Sequence, residues 1–190
     1  IDASNPMEIY VFYKELNRVL FLDNNLAYRG ELDLTKQNIT QAAAIARSYD
    51  NGIWVFDMGD LQLKKMSKDG TVAQLSGNIK QIIKSNFVPT TILENTKQVA
   101  ITSDSICLFF DVFASYIRTK KVSANAGLQL GNQYLFETNA NQINGIDLNL
   151  GNTIPFLKIQ NLTQTIKWSF VNKNNVYLWL DEKIKIFATN

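Results

Sequence analysis

A chain of 190 residues, 46% apolar and 19% charged, has the make-up of an ordinary folded protein and is long enough for one domain or a compact repeat array. Its net charge of +2 is thinly spread, with Lys64-Lys65 and Lys120-Lys121 no more than pairs, so nothing forms the basic stripe that duplex nucleic acid needs. There is no histidine and a single cysteine, which excludes Ser-His-Asp and Cys-His catalysis, histidine-ligated zinc, thiolate metal clusters and an internal disulfide.

Short runs of Val, Ile, Leu, Phe, Tyr and Trp recur along the chain, separated by Asn, Asp and Gly clusters. That is the pattern of antiparallel strands joined by tight turns. The first unit has strands at Ile9–Tyr13, Val19–Asp23 and Ala27–Leu34, with no clear strand before them. The second has all four: Ala43–Ser48, Ile53–Asp57, Leu61–Met66 and Thr71–Leu75. They are joined by Asp50-Asn51-Gly52, Met58-Gly59-Asp60 and Lys68-Asp69-Gly70, where Asn and Gly supply the positive φ that such turns require. The linker Gly77–Pro89 carries Ile79, Ile82 and Ile83 at a spacing for one or two helical turns. It reads as a cap over the core, with a partner-docking element as the alternative.

The order returns in the third unit as Thr91–Leu93, Gln98–Thr102, Ile106–Phe110 and Ser115–Val122, and in the fourth as Leu128–Leu130, Tyr134–Glu137, Ile143–Asp147 and Ile154–Ile159. The fifth has Ile166–Val171, a turn from Asn172 to Asn175, Val176–Leu180 and Lys183–Phe187. Second strands thus begin near residues 8, 52, 97, 133 and 175, a spacing of roughly 36–45 residues, which suits one four-stranded propeller blade. The predicted fold is all-β, a β-propeller of about five four-stranded antiparallel blades in one domain, with blades near 1–38, 42–77, 90–122, 126–160 and 165–190. Unit one lacks its innermost strand and unit five its outermost. Because open sheet edges invite aggregation, the missing strands are expected from a segment upstream of Ile1 or from another polypeptide, with Ile1–Pro6 as its tail. The chain starts without Met or an apolar leader, as a processed form or the C-terminal part of a longer exported precursor does.

Asp23, Asp111 and Asp147 each follow an apolar third strand and read as turn residues rather than metal ligands. Cys107, in an apolar strand, reads as a small buried hydrophobe. The longest apolar run, Ile106–Ala114, is broken by Asp111 and falls far below the ~20 residues of a membrane helix. Glu31 with Asp33 and Asp181 with Glu182 read as solvated charges, and Gly127-Leu128-Gln129-Leu130-Gly131 fits no phosphate-binding loop. The aromatics Tyr10, Phe12, Tyr13, Trp54, Phe56, Trp168, Phe170, Tyr177 and Trp179 are expected mostly between blades, since strands such as Ile9–Tyr13 are apolar on both faces. The sequons Asn38-Ile39-Thr40 and Asn161-Leu162-Thr163 both fall in blade-to-blade connections and mean nothing in a bacterial protein. No residue stands out as catalytic, cofactor-binding or metal-ligating, and no cofactor is expected.

The segments Asn5–Tyr13, Phe21–Asn24, Asp50–Asp57 and Leu108–Ile117 resemble an uncharacterised β-propeller family of the Bacteroidetes cell envelope, itself similar to NHL- and YWTD-type propellers. The likeness covers units one to three; after about Val122 only the strand rhythm continues. It implies a signal peptide, a further N-terminal sheet region, export to the periplasm or outer membrane, and no catalytic residues to carry over. The expected function is a non-enzymatic protein-binding or scaffold subunit of an outer-membrane-associated complex, with another envelope protein as partner and room for a lipid anchor on residues outside this chain. The alternative is a carbohydrate-binding or glycoside-processing propeller using carboxylates and aromatics at its mouth. Two carboxyl groups ~5–10 Å apart in an aromatic-lined pocket would mark the second, and a shallow apolar patch the first.

Overall fold

Branched and aromatic side chains favour extended backbone because they pack well on a pleated surface, and each of the apolar runs is a strand. The computed structural model describes residues 1–84, 87–123, 127–159, 164–172 and 175–188. The chain divides into two compact units, Ile1–Lys120 and Lys121–Asn190.

The first unit carries three sheets. They are β1 (Glu8–Tyr13), β2 (Arg18–Asp23) and β3 (Tyr28–Asp33); β4 (Ala42–Arg47), β5 (Ile53–Asp57), β6 (Gln62–Met66) and β7 (Val72–Leu75); and β8 (Thr91–Glu94), β9 (Gln98–Thr102), β10 (Ile106–Asp111) and β11 (Tyr116–Lys121), which ends at the unit boundary. The second unit carries two: β12 (Leu128–Leu130), β13 (Tyr134–Thr138), β14 (Gln142–Asp147) and β15 (Thr153–Lys158), then β16 (Trp168–Val171), β17 (Asn175–Trp179) and β18 (Ile184–Ala188). Every sheet is an antiparallel meander in chain order. Second strands of the repeat begin at Glu8, Ile53, Gln98, Tyr134 and Asn175, within one residue of expectation.

Among the described residues the first and last sheets have three strands and the others four. The place beside β1 is held by one residue, Asp2, whose N–H donates to the Tyr10 carbonyl at 2.8 Å and whose carbonyl accepts from the Tyr10 N–H at 2.9 Å. The Asp2 carboxylate also accepts from the Arg47 N–H at 2.9 Å, tying this edge to β4.

Sheets pack face to face within each unit. Tyr10, Val19 and Phe21 of the first sheet share a core with Ile53, Val55 and Met66 of the second. Trp54, Phe56 and Leu63 on the other face of the second pack against Val99, Ile101 and Phe110 of the third. All five residues of β5 are buried, as sandwiching between two neighbours demands. In the second unit Ile143, with Phe136 beside it, packs on Val171, Val176 and Leu178. The Gly77–Pro89 linker forms a 3-10 turn at Ile79–Gln81, and its Ile79 and Phe87 are buried against the core between the second and third sheets. It caps that core.

The three marker aspartates do the turn chemistry expected. Asp23 accepts from the N–H groups of Asn25 and Ala27, Asp111 from Phe113 and Ser115, and Asp147 from Asn149 and Leu150, all at 2.7–2.9 Å. Asn51 (φ 67°) and Gly70 (φ 91°) take left-handed conformations in their turns. So do Leu26 (φ 63°), Leu61 (φ 57°) and Ala114 (φ 65°), a role given to Asn and Gly alone at the sequence level. The carboxylate-anchored turns hold Leu26 and Ala114 there despite the steric cost of a Cβ.

Candidate functional site

Register places six large apolar side chains on one face of the last sheet. Trp168 pairs with Trp179 and Phe170 with Tyr177, while Tyr177 pairs with Ile186 and Trp179 with Ile184. Cross-strand partners project to the same side, and alternation sends Ser169, Val171, Val176 and Leu178 to the other, which is buried. The aromatic side is open: Trp168 is 49% exposed, Phe170 39%, Trp179 52%, Ile184 66% and Ile186 61%. Trp168 and Phe170 stack with nearly parallel rings, 5° apart with centroids at 5.9 Å, and Tyr177 sits 6.2 Å from Phe170. Together they wall a shallow cavity of about 370 Å³ lined by Trp168, Phe170, Asn172, Tyr177, Trp179 and Ile184. Side chains this large are seldom left in water together except where something docks.

Other polar constellations are structural braces. Lys64 and Lys65 are both buried, on opposite faces of β6. Lys64 Nζ lies 2.9 Å from Asp57 Oδ2 and 2.5 Å from Asp60 Oδ2. Burial works against the Asp57 charge, but the Lys64 ammonium and the N–H groups of Gly59 and Gln41 outweigh it and hold the carboxyl below its ordinary range. Burial likewise works against the Lys64 charge, and the two carboxylates override it and raise the ammonium. Lys65 pairs with Asp50 at 2.7 Å and lies over the rings of Tyr49 and Trp54. Asn17, left-handed at φ 49°, donates to the carbonyls of Ile39 and Thr40 and accepts from the Ala42 N–H, joining the first two sheets.

Of the nine aromatics singled out, Tyr10, Trp54 and Phe56 are fully buried and Phe12 packs against the same core as Tyr10. Tyr13, Trp168, Phe170 and Trp179 are exposed, which corrects the expectation for the fifth unit. Its strands are apolar on both faces, and within its own unit only one face packs against another sheet. Glu31 and Asp33 flank Arg18 at 3.4 and 3.5 Å, and Asp181 lies 3.4 Å from Lys167. None of these carboxylates lines the aromatic cavity. Burial pushes the Cys107 thiol up to about 12, only partly offset by Arg118, so it is a poor nucleophile. Asn38 ends a 3-10 turn in the β3–β4 connection, while Asn161-Leu162-Thr163 and the two central residues of the Asn172–Asn175 turn lie outside the described residues. Among the described residues no group of His, Cys, Asp and Glu could hold a metal ion, and no helix is long and apolar enough to cross a membrane.

The fold is matched in solved structures. A catalytically inactive histidine-to-alanine form of virginiamycin B lyase from Staphylococcus aureus, with quinupristin, aligns at a TM-score of 0.57 and 12% identity over 96% of this chain and 66% of the lyase. Hsv2 of Kluyveromyces lactis aligns at 0.68 and 11% identity, over 96% of this chain and 56% of that one. BamB from Moraxella catarrhalis aligns at 0.59 and 12% identity, over 99% and 72%. The fold is a β-propeller. At such identities the likeness carries the fold alone, and the chain spans less than two thirds of the lyase and of Hsv2. No protein-family profile matches the chain, and neither does any curated protein sequence.

Proposed function

We propose that this chain is a non-enzymatic, protein-binding scaffold of the bacterial cell envelope, and that the aromatic face of β16–β18 receives an apolar β-sheet surface of a partner polypeptide. The carrying observation is that face: six large apolar side chains in register, five of them more than a third exposed. The envelope location rests on the resemblance of the first three units. Loss of one histidine inactivates the virginiamycin lyase, and this chain has no histidine to take that part.

The exposed rings of Trp168, Phe170 and Trp179 favour a second reading, stacking on a sugar. Sugar hydroxyls need a fringe of hydrogen-bonding side chains, and among the described residues the cavity is lined by Asn172 and otherwise by rings and one isoleucine. The protein-binding reading is therefore preferred.

The test is a photo-crosslinking residue placed at Trp179 and, as a control, at the still more exposed Leu26, in cells of the source organism. Polypeptide adducts at Trp179 and none at Leu26 are expected. Lack of polypeptide adducts at Trp179, together with oligosaccharide-dependent changes in tryptophan fluorescence, would overturn the reading in favour of sugar binding.

A further inference from the structure

The first unit holds a cavity of its own, formed where the linker 77–89 passes the β5–β6 turn. Its volume is about 340 Å³, and its walls are Met58 and Leu61 of the turn with Ile79, Ile83 and Phe87 of the linker. Ile79 and Phe87 are buried, and the other three are half-buried against the core between the second and third sheets. The cavity shares no residue with the aromatic face of β16–β18.

Hydrogen bonds fix both walls. Asn78 Nδ2 donates to the Asp60 carbonyl at 2.7 Å and the Ile79 N–H to the Leu61 carbonyl at 3.0 Å, which stitches the linker to the turn. The N–H groups of Ile82 and Ile83 donate to the Ile79 carbonyl at 2.9 and 2.8 Å, closing the linker on itself. Leu61 is strained there. Asp57 accepts from the Gly59 N–H as Asp147 does from Asn149, two residues on in each case. Four residues on, the Asp147 turn has Gly151 at φ 72°, and the Asp57 turn has Leu61 at φ 57°. Glycine takes that conformation freely and leucine does not. The leucine side chain goes to the cavity wall.

Charge at the opening has one sign. The exposed lining residues are Val88 and Lys80, and Lys80 is the one charged group in the lining among the described residues. Asp57 and Asp60 of the same turn lie against Lys64, at 2.9 and 2.5 Å. Among the described residues no carboxylate is within ion-pair reach of Lys80.

We propose that this cavity binds a medium-chain carboxylate, its acyl chain between turn and linker and its carboxylate at Lys80. The volume lies at the lower end of ligand pockets, roughly 300–1,000 Å³. At ~30 Å³ for a group the size of a water or methylene, it holds a chain of about ten carbons. Apolar walls with one polar group at the solvent side suit a ligand that is apolar along its length and charged at one end. One ammonium balances the single charge of a carboxylate, whereas a phosphate monoester would bring more charge and more acceptors than Lys80 can meet. This goes beyond the protein-binding reading of the aromatic face and does not depend on it.

Equilibrium dialysis of the full chain against radiolabelled hexanoate, octanoate, decanoate, dodecanoate and tetradecanoate, each below its micelle-forming concentration, tests the site. Saturable binding of one molecule per chain is expected. Affinity should rise about fourfold per methylene up to decanoate and then level off as the cavity fills. Decanol should bind about three- to fivefold more weakly than decanoate, and Lys80→Gln should abolish that difference. Val88→Asp, at an exposed position, should weaken decanoate at least as much as Lys80→Gln with an unchanged circular dichroism spectrum. Trp179→Asp should change nothing. Absence of saturable decanoate binding would overturn the proposal, and so would decanol binding as tightly as decanoate, or affinity that climbs unchecked through tetradecanoate. Binding that survives Lys80→Gln and Val88→Asp but is lost in Trp179→Asp would move the ligand to the aromatic face and overturn it too. Crosslinking results at position 179 bear only on the protein-binding reading, so the two fail separately.

Discussion

The indole N–H of Trp54, at the centre of the second sheet, donates to Glu94 Oε1 at 2.8 Å, across the packing surface with the third. Ser48 Oγ donates to the same oxygen at 2.9 Å and the Tyr49 N–H to Oε2 at 2.8 Å. One carboxylate at the end of β8 thus satisfies three donors of the neighbouring sheet. Trp54 is fully buried, so its N–H has no water to turn to.

Replacing Glu94 by Ala strands those donors. The expected loss is about 2–4 kcal/mol, since hydrogen bonds to charged groups carry more than neutral ones and buried donors left unpaired add a penalty. Glu94→Gln keeps one acceptor oxygen and should lose about half as much. Urea unfolding followed by tryptophan fluorescence measures both; equal losses would mean the carboxylate is not the hub.

The Asp57–Lys64–Asp60 cluster sets a pH window. The Asp57 carboxyl is lowered in the fold, so its contribution is present above the unfolded value of 3.8 and is lost as pH falls below it. The Lys64 ammonium is raised, so its contribution is present below the unfolded value of 10.5 and is lost as pH climbs past it. The urea midpoint should hold a plateau between these limits, and Asp57→Asn should flatten the acid limb. An acid limb unchanged in that variant would place the titrating group elsewhere.

Leu26 is 66% exposed and left-handed. Leu26→Gly removes a Cβ clash of about 1–2 kcal/mol while adding unfolded-state freedom of up to ~1 kcal/mol. A net gain of about 0.5–1 kcal/mol is expected from thermal or urea unfolding. A loss would show that the side chain packs more than its exposure implies.

Cys107 is fully buried in β10. Under native conditions it should resist a thiol reagent and become reactive only with global unfolding, so its labelling rate should track urea concentration along the unfolding transition. Rapid labelling in buffer would mean that β10 opens locally.

Strand positions were legible because period-two alternation and Asx-type turns are local. The carboxylates of Asp23, Asp111 and Asp147 accept from N–H groups two to four residues further on, so spacing along the chain carries the information. Lys64 and Lys65 read in the sequence as no more than a pair of charges. Adjacent strand residues point to opposite faces, and each lies against carboxylates that only the fold brings to it.

The aromatic face shows the limit most clearly. Period-two chemistry alone made both sides of β16–β18 apolar, just as it did for β5. Whether a given side is core or surface depends on whether another sheet lies against it, which is a relation between residues far apart in the chain. For Trp54 the third sheet is there; for Trp179 no sheet of its own unit is, and only the three-dimensional arrangement tells these two tryptophans apart.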